Sequence, residues 1–286
     1  MSVKCKKNVF KILLVLRMQR MNFLLKLVVV LIFAACNNNP AKPDVPANNS
    51  SKQTSVEQLL NDSTTVDSVR EQLIAELVQS KEYSKALAQI DFLLAKDSSN
   101  PGRLYIKADA LEKMGDTAGA IEHYNKAVLK AGVFVEAEMR AAVLFAETGN
   151  KNALLLTDNL FKNPGAARFR SDVLMVRGIY YSKTGNTTKA LEQFNQILKE
   201  DYSYLDAYIE KGLVYYDLAK YEDAWKVFNK STEVSNKFAE GYFWMAKAEE
   251  KMNRKQEAIN NYKRALAFDQ SITEAREGIQ RLEGTK

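Results

Sequence analysis

An alanine that returns on a fixed period limits this chain to a stack of like units. Ala86, Ala120, Ala190, Ala224 and Ala258 stand 34, 70, 34 and 34 residues apart, and the 70 is two periods with two residues added. Around each alanine a similar text recurs: KEYSKALAQI from Lys81, GDTAGAIEHY from Gly115, GNTTKALEQF from Gly185, AKYEDAWKVF from Ala219 and NRKQEAINNY from Asn253. Every one of these segments reads as a turn followed by an amphipathic helix. A second small residue recurs in the preceding helix, at Ala108, Ala142, Gly178, Gly212 and Ala246, with Leu111, Phe145, Tyr181 and Tyr215 three places on. Aromatic side chains recur at Tyr124, Phe194, Phe228 and Tyr262, and a further small residue at Ala127 and Ala265. Small residues are needed where two helices cross closely, and large ones fill the space beside them. A unit of this size cannot bury its apolar face alone, so its neighbours must stack into one continuous core.

These positions together resemble the tetratricopeptide repeat (TPR), a helix-turn-helix unit of 34 residues. The resemblance covers residues 67–272 and implies an all-α fold. It would be a right-handed α-solenoid of about six TPR hairpins, at 67–100, 101–134, 135–170, 171–204, 205–238 and 239–272, closed by a capping helix in 273–286. The first unit is degenerate, with Ile74 in the small place. In the third, Leu154 replaces the anchoring alanine and Pro164-Gly165 ends the second helix early. The sixth has Glu249 where a large apolar residue is expected.

The resemblance also implies where binding occurs. In this family the first helices of the hairpins line a concave groove. Carried onto this sequence, the groove positions give one row of Glu71, Tyr105, Met139, Met175, Ile209 and Phe243 and a second of Ala75, Asp109, Val143, Ile179, Leu213 and Lys247. Met139, Val143, Met175, Ile179, Ile209 and Leu213 would form an apolar patch rimmed by Asp109, Glu136, Asp206 and Lys247. Two readings stand. As an open surface, the patch would take an apolar helical or extended segment of a partner protein, methionine being favoured where a surface must adapt. Alternatively, the same side chains pack against neighbouring helices or the chain's own termini. The form of the family that grips C-terminal carboxylates with Lys, Asn and Arg is not expected, because those places hold mostly apolar or acidic residues.

Catalysis finds little to work with. His123 is the single histidine, set beside Tyr124 at a place that usually faces solvent. Without a second histidine, a nearby thiol or a glycine-rich phosphate loop, neither a metal site of His and Cys type nor a nucleophile-base pair can be assembled. Carboxylates on the outward helix faces are ordinary solvated charges. No enzyme activity and no small-molecule cofactor are expected.

The formal charge of +6 suggests nucleic acid until it is located. Residues 1–35 hold seven basic side chains, Lys4, Lys6, Lys7, Lys11, Arg17, Arg20 and Lys26, and no acidic one, which leaves 34 basic against 35 acidic side chains in the rest. A near-neutral body offers no clustered charge for a phosphate backbone, so no nucleic-acid partner is expected. The two cysteines, Cys5 and Cys36, both lie in this N-terminal part, and the body has no disulfide framework to lean on.

Phe23 to Ala35, FLLKLVVVLIFAA, follows a basic region and ends in small residues before Cys36. That is the layout of an export signal, and the run is short for a membrane span, which needs roughly 20 apolar residues. Phe33-Ala34-Ala35-Cys36 resembles a bacterial lipobox, with Phe33 where leucine is usual. The resemblance implies a signal peptide over 1–35, with Met21 as an alternative start, and a multi-chain lipid anchor on Cys36. The other reading is an uncleaved signal anchor. Both place the body outside the cytoplasm, with the outer membrane facing the periplasm as the favoured location. Residues 36–66 would form a tether: NNNPAKPDVPANNSSKQTS has no aromatic residue and three of the five prolines.

Taken together, the resemblances imply a membrane-anchored scaffold or adaptor in a cell-envelope machine of assembly, secretion or motility. The alternatives are a regulator that binds peptidoglycan enzymes and, after that, an enzyme with a carboxylate site.

Overall fold

The structure, a computed structural model, describes residues 67–284. The export signal, Cys36 and the tether lie outside the described residues. Thirteen α-helices and one 3-10 segment make up the described part, with no strand among the described residues. They are α1 Asp67–Gln79, α2 Tyr83–Lys96, α3 Pro101–Met114, α4 Thr117–Ala131, α5 Val135–Glu147, α6 Asn152–Lys162, the 3-10 segment Pro164–Phe169, α7 Arg170–Lys183, α8 Thr187–Glu200, α9 Leu205–Asp217, α10 Tyr221–Val234, α11 Ala239–Lys251, α12 Lys255–Phe268 and α13 Thr273–Gly284.

By its contacts the chain divides after Ala75. The described part of the first unit is the opening of α1, residues 67–75. The second unit starts at Glu76. Within it, each helix from α2 onward packs on the next one in the chain. The first helices of successive hairpins also touch, α5 with α7, α7 with α9 and α9 with α11. This nearest-neighbour stacking is an α-solenoid. None of its helices is long and apolar enough to cross a membrane.

One backbone device makes every hairpin. Lys81, Gly115, Gly149, Gly185, Ala219 and Asn253 all adopt positive φ, between 57° and 92°. Each follows a first helix and reverses the chain. The next residue then donates its N–H back across the turn, as Asp116 does to Leu111 (2.9 Å), Asn186 to Tyr181 (2.8 Å) and Lys220 to Tyr215 (3.0 Å). That bond satisfies a carbonyl the helix end would otherwise leave open. Between hairpins, Asp97, Asp201 and Asp269 end their helices in extended backbone. Their carboxylates accept the N–H of Ser99, Ser203 and Ser271 at 3.1, 2.9 and 2.8 Å, closing the turn locally.

The core repeats two versions of one contact. In the fourth and fifth hairpins a glycine on the first helix faces a phenylalanine on the second. A Cβ at Gly178 would lie 2.4 Å from the Phe194 ring, and one at Gly212 would lie 2.2 Å from Phe228. In the second and sixth hairpins the small residue is Ala108 or Ala246 and the aromatic is a tyrosine, whose hydroxyl must be satisfied. Tyr124 donates to Glu112 and Tyr262 to Glu250, each at 2.9 Å. An arginine from the following hairpin or the cap completes each set, Arg140 on Glu112 at 2.8 Å and Arg281 on Glu250 at 2.6 Å. Phenylalanine therefore goes with glycine here, and tyrosine with a carboxylate and an arginine.

Irregularities have local causes. Helix α6 is only 11 residues long, and Asn163 accepts the N–H of Gly165 at 2.9 Å to start the 3-10 segment, which buries Ala166 and Phe169. Glu249 is buried where an apolar side chain was expected, because it gains donors: the Trp225 indole at 2.8 Å and the Asn261 amide at 2.9 Å to both oxygens. Burial still pushes its carboxyl up from the ordinary range.

Candidate functional site

The register of each first helix decides which side chains remain accessible. Gly212 faces α10 through Phe228. At about 100° per residue, Asp206, Glu210, Leu213 and Asp217 then lie roughly 100–160° round the helix from it. On α11 the same register, counted from Ala246, holds Glu240, Trp244, Lys247 and Lys251. Ile209 and Phe243, counted the same way, sit nearer the packed side.

Of the two readings of the apolar patch, the burial of its residues fits the packed one. Met139, Val143, Met175, Ile179 and Ile209 are all buried, with Met175 at 0% exposure and Met139 at 1%. Helix α5 is the extreme case, with every residue from Ala137 to Ala146 buried. It contacts α4, α6 and also α7 directly. Ile209 joins the cluster of Phe228, Tyr242, Phe243 and Met245, with Leu213 and Tyr216 packed at its margin.

Other expected groove residues are spread over two places. At the second and third hairpins, Tyr105 is half-buried, its ring centroid 5.4 Å from Tyr124 and 5.2 Å from Phe134. Burial pushes its phenol up to about 12. Asp109 bridges Lys113 at 2.6 Å and Arg140 at 3.4 Å. Arg140 lies behind it, 6% exposed, and also bonds the Tyr124 hydroxyl through Nε at 3.3 Å. This end is an internal network with one edge at the surface.

At the fifth and sixth hairpins, Leu213 and Lys247 are half-exposed and Phe243 is buried. Beside them lie Tyr216 and three residues that sequence reasoning missed, Trp244, Glu210 and Glu240. Trp244 is half-buried, with ring centroids 6.0 Å from Tyr216 and Phe228 and 5.2 Å from Phe243. Its indole N–H donates to Glu240 at 3.3 Å. Burial, with Asp206 and Glu210 nearby, pushes the Glu240 carboxyl up to about 8 despite that bond. A signal for this place was present in the sequence. Glu136, Asp172, Asp206 and Glu240 put an acid at the same register of four successive first helices.

His123 lies on α4 with Nδ1 2.9 Å from the carbonyl oxygen of Gly119. No group of three or more His, Cys, Asp or Glu side chains that could hold a metal occurs among the described residues.

Family models of the tetratricopeptide repeat match residues 73–150, 175–235 and 239–272. A TPR repeat-containing protein of Methanocaldococcus jannaschii is 28% identical over 214 residues, which are 70% of this chain and 36% of that protein. Anaphase-promoting complex subunit 7 of Homo sapiens is 26% identical over 210 residues, 71% of this chain and 36% of the relative. The chain thus spans about a third of the length of these curated relatives. Among solved structures, a tetratricopeptide repeat protein of Parabacteroides merdae is similar with a TM-score of 0.64 at 16% identity, over 82% of this chain and 90% of that one. At this identity the likeness is one of fold.

Proposed function

The chain belongs to the tetratricopeptide repeat family, and from that premise we propose that it is a protein-binding scaffold held at a bacterial membrane by a lipid on Cys36. Proteins of this family are typically interaction scaffolds without chemistry of their own. The observation that carries the binding role is the strip on α9 and α11, where Leu213, Tyr216, Trp244 and Lys247 stay partly accessible on a rigidly stacked framework. Stacked helices hold such side chains in fixed positions, so a partner is met with little ordering cost.

The membrane part of the reading is supported by sequence: a basic region, a short apolar run, and Ala34-Ala35 before Cys36. On this reading the proline- and asparagine-rich segment after Cys36 would serve as the tether between the lipid and the repeats. On this reading the scaffold serves an assembly, secretion or motility complex of the cell envelope.

Two measurements test the two parts. Metabolic labelling with a palmitate analogue should mark the wild type and not Cys36→Ser, and equal labelling would overturn the anchor. Affinity capture from membranes with mass spectrometry should recover a stable partner with the wild type and lose it when Leu213 and Trp244 are both replaced by Ser. Helical circular dichroism of the pair variant serves as the folding control. Undiminished recovery would move the binding site elsewhere.

A further inference from the structure

We draw no further inference here: the strongest candidate, the apolar surface patch at the turn from α4 into α5, where Leu129 and Val133 are exposed, is an unpartnered face, and nothing in the structure shows what covers it.

Discussion

Arg140→Met should loosen the junction between the second and third hairpins far more than any surface charge could. Arg140 and Glu112 form an ion pair at 2.8 Å with side chains only 6% and 4% exposed, and the Tyr124 hydroxyl bonds to both. Removing the guanidinium alone leaves a carboxylate buried without its cation, a loss of about 3–5 kcal/mol. Replacing the whole set should be nearly neutral, because the pair also carries the cost of taking both charges out of water. The fitting triple variant is Glu112→Leu, Tyr124→Phe and Arg140→Met. It copies the phenylalanine that the fourth and fifth hairpins already use, and Lys113 still pairs with Asp109. It should lie within about 1–2 kcal/mol of the wild type. A repeat array does not unfold as one unit, so the readout must be local. Hydrogen exchange of α3, α4 and α5 should accelerate strongly in the single variant and return close to normal in the triple, while α11 to α13 stay unchanged. A single variant costing less than about 1 kcal/mol, or a triple as damaged as the single, would refute the reasoning.

Gly212→Ala should destabilise the fifth hairpin by about 1–3 kcal/mol, since the new Cβ would meet the Phe228 ring; urea unfolding followed by circular dichroism checks it. Ala219→Gly should instead stabilise by about 0.5–1 kcal/mol, because alanine at φ 57° is strained and glycine is not, and a raised melting temperature is the test. Glu240→Gln tests the raised carboxyl. A folded-state value of about 8 against 4.5 means that the wild type loses stability as pH rises through that window, whereas glutamine does not titrate. The variant should match the wild type near pH 5 and exceed it near pH 8.5 by about 1–2 kcal/mol, after discounting for the partial exposure of the side chain. Met175→Lys should unfold the fourth hairpin, at about 3 kcal/mol or more, because the side chain has no route to solvent; protease resistance at wild-type level would count against the burial described above.

The hairpin text was legible because its constraints are local. The small residues, the aromatics and the turn before each second helix recur on one period, and each reflects a contact within a hairpin or with its neighbour. Even Ala219 and Asn253, which lack the glycine of Gly115 and Gly185, could be placed by register, and all four adopt positive φ. The satisfaction of Glu249 was not legible, because its donors, Trp225 and Asn261, lie 24 and 12 residues away on different helices. Nothing in the period says that a carboxylate will find them.

The accessible surface was harder still, and the reason is a matter of angle. Whether Met175 faces solvent or the stack depends on how closely the first helices approach each other, and one helical position shifts a side chain by about 100°. At α5 and α7 the approach is direct, and the short α6 with its 3-10 segment stands in place of a full second helix between them. On these two helices Met139, Val143, Met175 and Ile179 are all buried. Charged side chains resist the same fate, since burying them without partners is costly, so the residues left accessible on α9 and α11 include acids and lysines alike, with Leu213 and the aromatics beside them. Apolar content marks where such a stack closes. Its charges, repeated at the register of Glu136, Asp172, Asp206 and Glu240, stay partly accessible on the first helices.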